Sequence, residues 1–266
     1  MFDNFWYALA LTSFAGLSTG IGGLISIFGR PDSKRFLSCS LGFSAGVMIY
    51  VSFVELFAQS LNIIAATEGK MLGMVYVNLA FFAGMGLIVI IDRLVPSFEN
   101  PHEIPEQISK DADNPDSAKL IRLGLLSALA ISLHNFPEGM ATFAASMKDT
   151  ELGLSIALAI GIHNIPEGIA VAVPIYQATR NKTKAIGYSF LAGACEPIGA
   201  LFAFALMSFY WSEFLVGLIL AAVAGVMVFI SFDQLLPNAE RYGEHHYSVY
   251  GLVAGMMVMA SSLIFF

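Results

Sequence analysis

Charge is scarce in this chain of 266 residues. Charged residues make up 12% of it, and only 13 residues are lysine or arginine. An average globular protein has about twice that share of charged residues. Because 57% of the residues are hydrophobic, this chain has too few polar residues to cover the surface of a soluble protein of its size. The net charge of −7 excludes mainly electrostatic binding of nucleic acid. Cysteine is scarce too, because only Cys39 and Cys195 occur, both in apolar runs, which excludes a disulfide framework.

Several motifs of enzymes and pumps are also missing. The sequence contains no GxxxxGK phosphate loop followed by Ser or Thr and no HExxH zinc-protease motif. These absences argue against direct ATP-driven pumping and against a zinc protease. The apolar segments also lack Glu-x-x-His, the spacing with which helical bundles bind two iron ions.

Long apolar runs predict membrane-spanning helices, each of which needs about 20 largely apolar residues. Eight runs fit, so we expect an all-α integral membrane protein with a single polytopic domain over residues 1–266. The expected spans are residues 5–28, 36–60, 73–95, 121–147, 152–178, 185–210, 212–236 and 248–266. Residues 96–120 are rich in Pro, Asp, Glu and Ser and are expected to form a flexible cytoplasmic loop.

The positions of lysine and arginine predict how these spans are oriented. Eleven of the thirteen lie in or beside the connections that follow spans 1, 3, 5 and 7, and the opposite side holds only Lys70 and Lys148. Because cytoplasmic loops are enriched in positive residues, we expect those connections in the cytoplasm and both termini outside it. The first apolar run has no basic region ahead of it, so we expect a retained span and not a cleaved signal peptide.

Two internal similarities indicate inverted repeats. Residues 45–57 align without gaps on residues 224–236 with seven identities, and residues 128–141 align on residues 157–170 with ten. The first pair lies in spans 2 and 7 and the second in spans 4 and 5, which cross the membrane in opposite directions. The pattern predicts three helices, an inverted pair and three more helices, as in secondary transporters with a site near the midplane. For spans 2 and 7, chance similarity between apolar segments is the alternative.

The second similarity contains an H-N-x-P-E-G motif near the middle of each span. Histidine and glutamate four residues apart lie on one face of a helix. Each proline removes a backbone donor and should kink the helix and expose carbonyls. The candidate site residues are His134, Asn135 and Glu138 in span 4, His163, Asn164 and Glu167 in span 5, and Glu196 in span 6.

The three glutamates need a counter-charge. Carboxylates brought together in low dielectric repel one another, and no lysine or arginine lies in the middle of any span. Metal ions or protons must therefore supply the positive charge. Imidazole and carboxylate suit Zn²⁺ and Fe²⁺, whereas the harder asparagine oxygen admits Fe²⁺ or Mn²⁺. A purely structural set of hydrogen bonds between helices is the alternative.

Two further acidic residues have open interpretations. Glu55, toward the outer end of span 2, either recruits cations at an entrance, completes the site, or is an interfacial glutamate. Asp233, toward the cytoplasmic end of span 7, is a candidate for an exit path.

The doubled H-N-x-P-E-G motif, the eight spans and the Glu-Pro pair in span 6 resemble the ZIP family of divalent-metal transporters over nearly the whole chain. The resemblance implies a binuclear site. One ion would be bound by His134, Glu138, His163 and Glu167, and the other by Asn135, Glu138, Asn164, Glu167 and Glu196. Many members have a histidine-rich loop after span 3, but here it contains only His102, so metal sensing by the loop is not expected.

The resemblance also implies uptake of zinc, together with iron or manganese, into the cytoplasm across the inner or plasma membrane of a bacterium. Spans 1, 4, 5 and 6 would move against the others, and the protein would form a homodimer. On this interpretation the metal is cargo and not a prosthetic group, and the protein is not an enzyme. The alternatives are an intramembrane metalloenzyme and a metal-binding signalling protein that does not move ions.

Overall fold

The computed structural model describes residues 4–28, 34–94, 117–209, 212–242 and 245–265. All regular structure within these ranges is helical, which confirms the all-α class. Six helical segments there are long and apolar enough to cross a membrane: Phe5–Phe28, Ser38–Glu68, Lys70–Ile90, Thr150–Val173, Lys182–Phe209 and Glu213–Glu240. The count of eight spans stays a prediction.

Short connections join most of the helices. The helices are α1 (Phe5–Phe28), α2 (Lys34–Val51), α3 (Ala58–Glu68), α4 (Lys70–Leu94), α5 (Ser117–Lys148), α6 (Thr150–Thr179), α7 (Lys182–Gly193), α8 (Cys195–Phe209), α9 (Glu213–Ile230), α10 (Leu236–Tyr242) and α11 (His245–Phe265). One residue, Asp149, separates α5 from α6, and its carboxylate caps α6 by accepting from the backbone N–H groups of Glu151 and Leu152. Of the expected loop over residues 96–120, residues 96–116 lie outside the described ranges.

Two π-helical turns interrupt the helices of the first internal similarity. They are Ser52–Phe57, between α2 and α3, and Ser231–Leu235, between α9 and α10. The serine that opens each turn donates to the carbonyl four residues earlier, of Met48 at 2.6 Å and of Met227 at 2.7 Å. The alignment places the two serines opposite each other and the two methionines opposite each other. This shared geometry favours a true repeat over chance similarity.

The sixth expected span, residues 185–210, is not one continuous helix. It is interrupted at Ala194, between α7 and α8. Pro197 has no backbone N–H, so the carbonyl of Gly193 has no helical partner there. Glu196 consequently lies in the first turn of α8, where exposed N–H groups stabilise a carboxylate.

The helices pack into two groups. The first contains α1, α5, α6, α7 and α8, and the second contains α2, α3, α4, α9, α10 and α11. The groups meet chiefly where α2 packs on α6 and where α5 packs on α9. Within a group, backbones approach closely at glycines; a Cβ at Gly42 or Gly46 of α2 would overlap a carbonyl oxygen of α11. Such contacts are typical of helices in membranes.

Candidate metal site

Three ionisable side chains meet between α5 and α6. They are Glu138, His163 and Glu167, and all three are completely buried. Nε2 of His163 lies 3.3 Å from Oε1 of Glu138, and one ligand atom of each residue lies within 4.8 Å of those of the other two. Two ligand atoms of one tetrahedral zinc ion are roughly 3.4 Å apart, and larger or higher-coordinate ions allow a wider separation. The cluster therefore has the dimensions of a site for one divalent ion.

Hydrogen bonding orients the imidazole of His163. Its Nδ1 lies 3.2 Å from the carbonyl oxygen of Ala159, so Nδ1 carries the hydrogen and donates it. In the neutral imidazole, Nε2 then presents a lone pair toward an oxygen of Glu138. Two electron-rich atoms at this separation repel unless a proton or a metal ion lies between them. A carbonyl that accepts from the second ring nitrogen is the usual support of a metal-binding histidine.

Both motif asparagines are anchored through their amide nitrogens. Nδ2 of Asn135 donates to the carbonyl of Ala192 at 3.2 Å. Nδ2 of Asn164 donates to the carbonyl of Ala15 at 2.9 Å and also to the carboxylate of Glu196. The Oδ1 atoms of both asparagines are buried, and neither has a hydrogen-bond partner among the described residues. Buried polar atoms are rarely left in this state, and amide oxygens of this kind can bind a cation.

The third glutamate, Glu196, joins the cluster through Asn164. It is completely buried, and its Oε2, like Oε2 of Glu138, has no hydrogen-bond partner in the part of the chain that the structure describes. No lysine or arginine is among the buried side chains of that part. The negative charge of the three glutamates is therefore not balanced by a buried lysine or arginine there.

The glycine that ends each motif allows a further helix to pack closely beside the cluster, and this helix differs between the two motifs. A Cβ at Gly139 would overlap the carbonyl oxygen of Glu196 on α8, and a Cβ at Gly168 would overlap that of Thr19 on α1. Both α5 and α6 continue through their motif prolines. The motifs thus position α1 and α8 as well as supplying polar side chains.

Ser44 of α2 also contacts the cluster, although the sequence did not predict it. This buried serine has its Oγ 3.4 Å from Oε1 of Glu167 and 3.3 Å from the carbonyl oxygen of His163. A carboxylate is a stronger hydrogen-bond acceptor than a backbone carbonyl, so Glu167 is the better acceptor for the hydroxyl. Through Ser44 the second helix group contacts the cluster.

Glu55 lies in a different place, half-buried in the first π turn. It lines a cavity of about 400 Å³ beside the turn between α5 and α6. The other lining residues are Gln59, Lys148, Asp149, Glu151, Leu152 and Ser155. Ser155 precedes His163 by eight residues on α6, which is about 12 Å along a helix. This placement favours the entrance over direct ligation as the role of Glu55, and the role itself stays a prediction.

Two other residues that the sequence singled out are not part of the described cluster. The side chain of His134 lies outside the described part of the structure. Asp233 is exposed in the second π turn, and its role in an exit path stays a prediction.

Comparison with known proteins extends over the whole chain. The family model described as "ZIP Zinc transporter" matches residues 93–262. A protein of Chlorobaculum parvum named zinc transporter ZupT is 51% identical over 267 residues, and the match covers 100% of both chains. The protein of the same name from Streptococcus mutans is 52% identical over 266 residues, again with 100% of both chains covered. That of Clostridium perfringens is 48% identical over 278 residues, covering 99% of this chain and 97% of the relative.

Proposed function

The chain belongs to the ZIP zinc transporter family, and from this premise we propose that it takes up Zn²⁺ into the cytoplasm as a secondary transporter. The observation that carries the proposal is the buried cluster of Glu138, His163 and Glu167, since imidazole nitrogen and carboxylate oxygen are ligands that Zn²⁺ prefers. The zinc ion is cargo here and not a prosthetic group. An enzymatic function is not favoured, because the relatives are named as transporters.

The site binds two ions in this proposal. The first ion is held by His134, Glu138, His163 and Glu167, and the second by Asn135, Glu138, Asn164, Glu167 and Glu196. Support comes from the asparagine oxygens, which are buried and have no hydrogen-bond partner among the described residues. Three ionised carboxylates carry a charge of −3, so one divalent ion leaves −1 and two leave +1. The second ion is therefore held more weakly than the first, which helps release.

The asparagine oxygens also bear on the choice of metal. They are harder ligands than imidazole and suit Fe²⁺ and Mn²⁺. We therefore propose that iron and manganese are accepted in addition to zinc.

Transport proceeds by movement of the first helix group against the second. Support comes from the packing, because the two groups meet over few helix pairs while most site residues lie in the first group. Before binding, the carboxylates and imidazoles must release protons. The cavity at Glu55 lies at the end of α6 from which an ion would approach His163.

We propose that the protein lies in the inner or plasma membrane of a bacterium, with both termini extracytoplasmic. Support for the orientation comes from the distribution of lysine and arginine alone. A homodimer is proposed from the family resemblance.

Uptake of radioactive Zn²⁺ into proteoliposomes tests the proposed function. The full chain is reconstituted with and without ionophores that collapse ion gradients, and Glu138→Gln serves as the inactive control. Accumulation above that of empty vesicles, lost in the variant, is expected. A protein that binds zinc at the cluster without moving it into the vesicles would be a binding or signalling protein, and the proposal would fail.

A further inference from the structure

The contacts of the two motifs reveal a third pair of equivalent segments. Asn135 donates to the carbonyl of Ala192 at 3.2 Å, and its counterpart Asn164 donates to the carbonyl of Ala15 at 2.9 Å. Because the two asparagines are equivalent in the repeat, Ala15 on α1 and Ala192 on α7 occupy equivalent places. The first span is thus related to the sixth.

Glycine contacts repeat the same relation. A Cβ at Gly22 would overlap the carbonyl oxygen of Ile165, and a Cβ at the equivalent Gly199 would overlap that of Phe136. In the same way, a Cβ at Gly168 would overlap the carbonyl oxygen of Thr19, and a Cβ at the equivalent Gly139 would overlap that of Glu196. Gly16 and Gly193 contact each other reciprocally, as residues next to a two-fold axis do. Every α1 residue in this relation stands 177 positions before its counterpart.

This register makes Thr19 the counterpart of Glu196. The ungapped alignment of residues 12–24 with residues 189–201 contains five identities, too few to be convincing without the contacts. Both residues are completely buried, and each follows by four positions the alanine whose carbonyl accepts from a motif asparagine. Glu196 accepts a hydrogen bond from Asn164, so Thr19 stands in the place related to Asn135.

The hydroxyls of Thr19 and Thr142 are the two buried threonine hydroxyls that have no hydrogen-bond partner among the described residues, and that of Thr19 lies in the place equivalent to Glu196. Thr12 and Ser18 on the same helix donate to the carbonyl four residues earlier, at 2.9 Å and 3.2 Å. Thr19 does not, and its Oγ1 has no hydrogen-bond partner among the residues that the structure describes. The carbonyl four residues before it, that of Ala15, accepts from Asn164 instead. A buried hydroxyl in this state needs an explanation, and a ligand provides one.

We infer that Thr19 supplies a neutral hydroxyl oxygen to the transported divalent cation, on the side of the site opposite Glu196. The inference rests on the proposed function, because it assigns a further ligand to the same site. Of the two equivalent positions, one then holds the carboxylate of Glu196 and the other the hydroxyl of Thr19. The site consequently carries three acidic groups and not four. The positive charge of two divalent ions therefore exceeds the negative charge of the site.

An exchange of the two residues tests their equivalence. Glu196→Thr alone is expected to lose the second zinc ion. The double variant Thr19→Glu with Glu196→Thr returns the carboxylate to the site next to Asn135, and we expect zinc affinity at least about tenfold higher than that of Glu196→Thr. Zinc stoichiometry and binding isotherms on the purified full chain measure this. A folded double variant that binds no better than Glu196→Thr overturns the inference.

A milder substitution decides the question even if the exchange variant does not fold. Thr19→Val keeps the shape and removes the oxygen, whereas Thr19→Ser keeps the oxygen. We expect the dissociation constant for Zn²⁺ and the KM for uptake to rise about tenfold in Thr19→Val and to stay near the wild-type values in Thr19→Ser. Thr12→Val is the matched control, since Thr12 is equally buried on α1 but bonds to its own helix. Wild-type values in Thr19→Val, or equal losses in the valine and serine variants, overturn the inference.

The same measurements separate this inference from the proposed function. If the wild-type chain binds zinc but does not transport it, the proposed function fails, and the dissociation constants of the Thr19 variants still test the ligand assignment. If the wild-type chain transports zinc and Thr19→Val is unchanged, only the inference about Thr19 fails.

Discussion

Removal of the charge of Glu138 is expected to have a larger effect than removal of the charge of Glu196. Glu138 lies in the three-residue cluster, with its Oε1 at 3.3 Å from Nε2 of His163. Its Oε2 has no hydrogen-bond partner among the described residues, so its two oxygens can face different ions. Glu196 contacts the cluster through Asn164. The variants Glu138→Gln and Glu196→Gln therefore test whether one carboxylate bridges two ions while the other serves one.

The expected magnitude follows from the burial of these groups. Removing one partner of a buried charge pair costs about 3–5 kcal/mol, and each 1.4 kcal/mol is about a tenfold change in a dissociation constant. The first zinc ion should thus bind about 100- to 4,000-fold more weakly in Glu138→Gln. In Glu196→Gln the first ion keeps its proposed ligands, and only the second ion should be lost.

Metal stoichiometry, zinc-binding isotherms and uptake into proteoliposomes measure the difference. Glu213→Gln is the matched control, because Glu213 is exposed and forms its ion pair with Lys148 at 3.2 Å, outside the cluster. We expect no tightly bound zinc in Glu138→Gln, one ion in Glu196→Gln and wild-type behaviour in the control. Equal losses of both ions in the two site variants would refute the bridging role.

Three further outcomes are expected. Zinc uptake without a proton gradient should fall as the pH is lowered from about 7.5 to about 5.5, because ligand carboxylates and imidazoles must be deprotonated; a flat rate from folded protein contradicts this. Replacing Asn135 and Asn164 by Asp adds two negative charges, so zinc should bind more tightly and leave more slowly; faster transport without tighter binding would show that they are not ligands. Ser44→Ala removes a hydrogen bond to a carboxylate and should raise the KM for zinc roughly tenfold. Ser38→Ala, which removes a buried α2 hydroxyl bonded to the carbonyl of Ala239, should not; equal effects would make Ser44 merely structural.

The sequence was most informative at the two motifs. Histidine, asparagine and glutamate are costly in an apolar helix, so their repetition predicted that the two motifs function together. The structure brings Glu138, His163 and Glu167 within reach of one ion. The all-helical fold followed from the length of the apolar runs, and the structure confirms it.

Ser44 and Thr19 could not be predicted, for a physical reason. A serine or threonine in an apolar helix usually satisfies its hydroxyl on its own backbone, as Thr12 does, so its presence carries no information about a site. Only the packing of α2 against α6, and of α1 against α6 and α7, gives these hydroxyls a different environment. The interruption at Ala194 was partly foreseeable from Pro197, which cannot donate to the preceding turn.

The π turn Ser52–Phe57 has a consequence for how the second span is built. A π turn contains one residue more than an α-helical turn, and one residue corresponds to about 100° of rotation around the axis. Before the turn, α2 faces α6 and α11; beyond it, α3 faces α4 and α9. If all six residues of the turn adopted regular α-helical geometry instead, all 11 residues of α3 would rotate by about 100° away from both neighbours, with no change in their side chains. The wide geometry of the turn, more than the identity of its residues, determines which surface α3 presents.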